Sequence, residues 1–151
     1  MTFSRRVFLA GAGATAALAA CGPTGPGSVT IVAQATAGAN RGADGADRPV
    51  TLQVIQMRGT GAFDAADALA LQNPAAALGG DFIRVDLISL PPGGKATKTI
   101  GLDPGVAAIG VVAGFINPAG KAFRAKSAVS PTDNVTFSAA VGPGGLVLSP
   151  A

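Results

Sequence analysis

The chain has 151 residues, of which 48% are hydrophobic and 13% are charged, and its formal net charge is +3. It contains no histidine and one cysteine, which excludes histidine-based catalysis, histidine metal sites and an internal disulfide bond. Two of its 11 basic residues lie in the first 20 positions, so the rest of the chain is close to neutral and does not indicate nucleic-acid binding.

Residues 1–20 have the organisation of an export signal. Arg5 and Arg6 precede an apolar stretch that is too short to cross a bilayer as a helix. The stretch ends in Leu-Ala-Ala before Cys21, which resembles the lipobox of bacterial lipoproteins, where cleavage frees a cysteine that accepts lipid. We therefore predict a covalent lipid on Cys21 and no other cofactor. The alternative is an ordinary signal peptide that precedes a cysteine by chance.

The same segment predicts a route and a destination. Residues 4–9, Ser-Arg-Arg-Val-Phe-Leu, resemble the twin-arginine export motif, and the mildly hydrophobic Gly- and Ala-rich stretch after them fits that route. The alternative is the general secretory route with two arginines by chance. Gly22 stands where an enterobacterial lipoprotein retained in the inner membrane has aspartate, so it favours the outer membrane.

The remainder divides into a tether and one domain. Residues 21–27, Cys-Gly-Pro-Thr-Gly-Pro-Gly, cannot build a core and are predicted to be a flexible tether. Residues 28–149 show short runs rich in Val, Ile and Thr between Gly and Pro turn signals, which predicts a mainly β fold, a two-sheet β-sandwich of seven to eight strands. The predicted strands are 28–36, 50–58, 82–90, 96–102, 107–115, 121–129, 135–141 and a short one at 146–148.

Two details interrupt this regular pattern. In the second strand the apolar phase passes from Val54 to Ile55, and a slip of one residue predicts a bulge there. Residues 63–73 are rich in Ala and Leu and predict one short inserted helix, capped by Asp64 and ended before Pro74.

Chemical motifs are sparse in this sequence. Asp64 and Asp67 fit the start of a helix better than a catalytic carboxylate pair, because acidic side chains complement the helix dipole. Asp44 and Asp47 are too few for a calcium loop, and no glutamate follows them. We therefore predict no catalytic residue and no metal site. A basic strand face is interpreted as solvated rather than as an anion site; its members are Lys121, Arg124 and Lys126.

An ordered set of short motifs resembles the TssJ (VasD) family of type VI secretion lipoproteins. Residues 39–40, Ala-Asn, follow the first strand, and Arg-Pro-Val at 48–50 leads into Leu-Gln-Val-Ile-Gln-Met at 52–57. Residues 62–71 resemble the family's Ala-Phe-x-x-Ala-Asp helix, and Ile-Gly-Val-Val-Ala-Gly-Phe at 109–115 resembles its buried strand. The order of these motifs after a lipobox carries the resemblance.

The resemblance implies a transthyretin-like sandwich, anchored in the outer membrane and facing the periplasm. It also implies a structural role without enzymatic activity, in which the domain binds the periplasmic C-terminal part of TssM within a complex that includes TssL. An alternative is a lipid-anchored periplasmic binding module for a small ligand or polysaccharide, since such sandwiches serve many roles. A twin-arginine-exported enzyme is a third hypothesis, disfavoured by the missing histidine and cofactor motifs.

The segment 38–48 is the predicted partner-binding loop. It is longer than the usual connection between neighbouring strands, and long loops in compact domains are often functional. The resemblance points to the same loop, which is the one that contacts TssM in the family. The predicted contact residues are Asn40, Arg41, Asp44, Asp47 and Arg48.

Overall fold

Eight strands build two sheets of four. The computed structural model describes residues 25–151, and its strands are β1 Ser28–Ala35, β2 Val50–Met57, β3 Phe82–Leu90, β4 Lys95–Gly101, β5 Ala108–Ala113, β6 Arg124–Ala128, β7 Asn134–Gly142 and β8 Gly145–Pro150. One sheet has the order β4-β1-β7-β8 and the other β3-β2-β5-β6. All neighbouring strands are antiparallel except β1 and β7. The predicted two-sheet β-sandwich is therefore confirmed, with eight strands.

The alternation predicted for β1 builds the core between the sheets. Val29, Ile31 and Ala33 are fully buried, and the residues between them face outward. Because side chains alternate across a strand, each of the two sheets contributes one face to this core. The buried cluster includes Leu52 and Val54 of β2 from the opposite sheet.

Strand β2 is buried on both faces, which explains its change of apolar phase. Val54 belongs to the core between the sheets, whereas Ile55 and Met57 belong to a second cluster on the outer face of the same sheet. The predicted bulge at Val54 and Ile55 is therefore misplaced. The register against β3 shifts two residues later, between Gln56 and Met57.

The prediction of one continuous helix over residues 63–73 is wrong. The segment between β2 and β3 holds two short α-helices, α1 Gly61–Ala65 and α2 Pro74–Leu78, with 3₁₀ turns at Ala70–Gln72 and Gly79–Asp81. Ala66 is extended, and the Asp67 carboxylate accepts a hydrogen bond from the Ala70 N–H at 2.7 Å. Such local side-chain bonds compete with helix continuation. Pro74 is the first residue of α2. A proline is tolerated there because the N–H of the first helical residue has no partner within the helix.

These helical pieces cover one end of the second sheet. Phe63, Leu71 and Leu78 pack on Ile55 and Met57 in the second cluster. Gly110 makes this possible, because a Cβ there would lie 2.8 Å from the Phe63 ring. Within residues 25–151 no helix is both long and apolar enough to cross a membrane.

Candidate partner-binding surface

The segment 36–49 crosses from β1 in one sheet to β2 in the other. It is thus a connection between sheets, and the length expected of a hairpin does not apply to it. The segment also contributes to the core, because Ala39 is 2% exposed and belongs to the main buried cluster. Its base is held by buried contacts, and only its tip projects.

Asn40 holds that base. Its side chain is 2% exposed, its Nδ2 donates to the Pro49 carbonyl at 2.8 Å, and its Oδ1 accepts from the Ile116 N–H at 2.9 Å. The Arg48 N–H donates to the Asn40 carbonyl at 3.0 Å. Both ends of the amide are therefore used inside the protein. Asn40 therefore positions the loop from inside the protein, and its predicted contact with a partner stays a prediction.

Residues 41–47 form a tight hairpin-like tip. Arg41 and Asp47 pair in an antiparallel bridge, and the Gly42 N–H donates to the Ala46 carbonyl at 2.9 Å. Gly45 has a φ of 75°, a conformation that favours glycine. The Asp47 Oδ2 accepts from the Gly38 N–H at 2.5 Å, whereas its Oδ1 is buried and has no partner among the described residues. Asp47 therefore serves the fold of the tip as well.

The exposed charges of the tip are Arg41, Asp44 and Arg48. Arg48 Nη2 lies 2.9 Å from Asp44 Oδ2, and both side chains are about half exposed. A hydrogen bond from the Ala46 N–H, helped by the Arg48 charge, lowers the pKa of Asp44 below its ordinary value. Arg41 is in no ion pair within the described part of the chain. An exposed guanidinium of this kind can bind a carboxylate of another protein.

Basic side chains of the predicted strand face bond to other parts of the same protein. Arg124 donates to the carbonyls of Phe63 and Asp64, each at 2.7 Å, and Lys126 pairs with the Asp64 carboxylate at 2.5 Å. These bonds fasten α1 to β6. Asp64 therefore does not cap a helix, since the cap position of α1 is Thr60. Arg124 and Lys126 thus bond to other parts of the same protein, and the Lys126 side chain keeps 41% of its surface exposed.

The tip lies at the end of the sandwich opposite the tether. The start of β1 is held where the Gly27 N–H donates to the Pro131 carbonyl at 2.7 Å and the Gly27 carbonyl accepts from Leu102 at 2.9 Å. Eight residues later β1 ends and the loop begins. A strand of that length spans about 26 Å at about 3.3 Å per residue. The predicted lipid and export residues, Cys21, Arg5 and Arg6, lie outside the described residues.

A groove of about 520 Å³ opens at the tether end. It is lined by Pro26, Leu102 and Pro104 and has the Arg84–Asp103 pair, 3.8 Å apart, on its wall. Arg84 is bound mainly to Asp86, whose hydrogen bond raises the pKa of the guanidinium. The pair is thus satisfied within the protein, and nothing in the groove selects a particular ligand.

Comparison with known proteins identifies the family. The family described as type VI secretion lipoprotein, VasD, EvfM, TssJ matches residues 27–143. The T6SS lipoprotein TssJ1 from Pseudomonas aeruginosa is 28% identical, with a TM-score of 0.72, over 83% of this chain and 98% of that one. No protein with a curated functional description matches the chain.

Two further solved structures are similar. A chain described as "Type VI membrane complex" is 26% identical with a TM-score of 0.70, over 83% of this chain and 99% of its own. A chain in a structure described as the T6SS protein TssM C-terminal domain (869-1107) from EAEC is 25% identical with a TM-score of 0.64, over 82% of this chain and 98% of its own. The matched family region extends from the end of the tether through β7, which is most of the sandwich. The chain therefore belongs to the type VI secretion lipoprotein family of TssJ and VasD.

Proposed function

We propose that this chain is a structural outer-membrane lipoprotein of the type VI secretion membrane complex, which binds the periplasmic C-terminal part of TssM through the tip of the 36–49 loop. The similarity to chains in structures described as the type VI membrane complex and as the TssM C-terminal domain supports this partner. The role is attachment of the complex to the membrane rather than turnover of a substrate.

The geometry that carries this proposal is the separation of the two ends of β1. Residues 1–20 act as a cleaved export signal, Cys21 carries the lipid, and residues 21–27 form the tether to the 28–149 domain. Such a tether reaches at most roughly 25 Å, which keeps the Ser28 end of the sandwich near the membrane. The loop tip at the other end then faces the periplasm, where a partner can reach it.

Strand β1 also suits a load between these two ends. It is central in its sheet, with a ladder to β4 on one side and to β7 on the other, along almost its full length. Tension between the lipid and the loop runs along the covalent backbone of β1, and the ladders on both sides hold this strand in the sandwich. The connection between lipid and loop is therefore short and continuous.

A binding measurement tests this proposal. Replacing residues 42–46 by Asn-Gly keeps the Arg41–Asp47 bridge and the buried Asn40, since two residues of this kind suit a tight hairpin. We expect the variant to fold and to bind the TssM periplasmic domain much more weakly in isothermal titration calorimetry, as should Arg41→Ala with Arg48→Ala.

Lys95→Ala provides a matched control, because Lys95 is an exposed cation on the outer face of the other sheet. Its affinity should equal that of the unchanged protein. Unchanged affinity in the folded tip variant would place the interface elsewhere, and a lack of binding by the unchanged protein would refute TssM as the partner.

A further inference from the structure

Several exposed large hydrophobic side chains lie on one side of the sandwich. Five such side chains of the described part are more than 40% exposed, and three of them, Leu69, Leu87 and Ile116, lie on the side of the β3-β2-β5-β6 sheet. Leu69 and Ile116 are 75% and 50% exposed, and both line one cleft. Leu87 lies opposite Gln53 of β2, which also lines the cleft.

The cleft itself is small and uncharged. Its volume is about 210 Å³, and its lining includes Phe115 and Pro118 together with Leu69 and Ile116, but no charged residue. Gln53 also lines it, and its Nε2 donates to the Leu71 carbonyl at 3.0 Å. Pockets for small ligands usually measure about 300–1,000 Å³. The cleft is thus below the size for a whole ligand and suits a single inserted side chain.

The cleft is continuous with the loop 36–49. The Ile116 N–H on its wall donates to the Asn40 side chain, which positions the loop tip. Lys121 donates to the Ala39 carbonyl at 3.0 Å, and its ammonium lies 4.7 Å from the centre of the Phe115 ring. A protein that contacts the tip can therefore reach the cleft without leaving this surface.

We propose that the cleft receives a large apolar side chain from the same partner segment that contacts the loop tip. This inference rests on the function proposed above and adds a second, apolar half to the interface. Because the lining is uncharged, the occupant must be uncharged as well, since an ion entering it would lose water without a partner. Apolar anchors in desolvated pockets often dominate binding, and charged contacts at the rim chiefly steer the encounter.

Two kinds of variant test the inference in the full-length lipoprotein, held in detergent on a biosensor and titrated with the TssM periplasmic domain. Leu69→Asp and Ile116→Asp place a charge at the mouth, and each should weaken binding about tenfold or more. Ala68→Leu fills the cleft and leaves the surface apolar, and it should also weaken binding. Val147→Asp is the control, because Val147 is 63% exposed on the outer face of the other sheet.

Salt separates the two halves of the interface. The loss from Ala68→Leu, which changes no charge, should be similar at low and high ionic strength, whereas the loss from Arg41→Ala should shrink as salt screens the charge. All variants are checked for an unchanged melting temperature.

The outcomes distinguish this inference from the function on which it rests. If the tip variants lose affinity while Ala68→Leu binds normally, no side chain enters the cleft, and this inference is overturned while the proposed function stands. If Val147→Asp loses as much as Leu69→Asp, the effect is not specific to the cleft, and the inference is overturned too. Absence of binding by the unchanged lipoprotein overturns the proposed function itself.

Discussion

The two ends of the sandwich are built on different principles. At the tether end the outer face of one sheet is covered by the start of the helical segment, with Phe63 buried. Gln56 is also buried there and joins the sheets, because its amide bonds to Gly101 and Asp103 at 2.9 and 2.8 Å. At the loop end one buried amide, Asn40, holds a tip that exposes Arg41 and Arg48. The difference suggests a rigid base near the membrane and a separately built contact surface away from it.

Removing the anchor should have the largest effect. Cys21→Ser eliminates the one thiol of the chain, so no lipid can attach there. We expect the variant to leave the membrane fraction or to remain unprocessed, with labelled palmitate no longer incorporated. Membrane fractionation measures this, with Thr24→Ser in the same tether as the control. A processed Cys21→Ser protein that still floats with outer-membrane vesicles would refute anchoring at this end.

A double substitution in the export signal should have an effect nearly as large as the loss of the anchor. Arg5→Lys with Arg6→Lys keeps the positive charge and removes both guanidinium groups. If the twin-arginine route is used, the protein should accumulate as precursor in the cytoplasm, which immunoblotting of cell fractions detects. Normal maturation of the double variant would favour the general secretory route.

Loss of the buried ring should unfold the tether end first. Phe63 is 1% exposed, and Phe63→Ala should lower the free energy of unfolding by about 3–5 kcal/mol. Leu69→Ala, in the same segment but 75% exposed, should change stability by no more than about 0.5 kcal/mol. Urea unfolding of both variants compares them. Equal effects would show that the helical segment does not stabilise this end.

At the loop end Asn40→Ala should disturb the position of the loop tip while the sandwich stays folded. It leaves the Ile116 N–H and the Pro49 carbonyl without their partner, which costs about 1–3 kcal/mol. We expect weaker TssM binding as well, although the side chain is buried, because the tip loses its support. Hydrogen exchange of residues 38–48 should become faster. Full affinity in Asn40→Ala would mean that the tip is positioned without this amide.

The smallest effect is expected from Asp44, which is exposed. Its pKa is lowered in the folded protein, so its contribution to stability is present above the ordinary value of 3.8 and is lost as the pH falls through the lower folded value. Between pH 5 and pH 3 the melting temperature of the unchanged protein should therefore fall slightly more than that of Asp44→Asn. Parallel pH dependences would show that ionised Asp44, held by the Ala46 N–H and by Arg48, does not stabilise the tip.

Local pattern alone predicted much of the fold. Alternation in β1 and the turn signals between strands specified the sandwich, because a strand with one buried face shows a period of two in its own residues. The resemblance in motif order specified the family, which the match over residues 27–143 confirms. The lipid on Cys21 stays a prediction, since it lies outside the described residues.

Tertiary contacts decided what local pattern could not. The change of phase at Ile55 suggested a bulge, yet it reflects a second cluster on the other face of β2, and only the packing of Phe63 and Leu71 reveals that cluster. Asn40 looked like an exposed contact residue, but its partners at Pro49 and Ile116 lie 9 and 76 positions away in sequence. Arg124 likewise reaches carbonyls of α1 about 60 positions away. Periodicity in a segment shows which of its faces is buried. Hydrogen bonds between segments far apart in sequence depend on how the two sheets and the helical segment pack together.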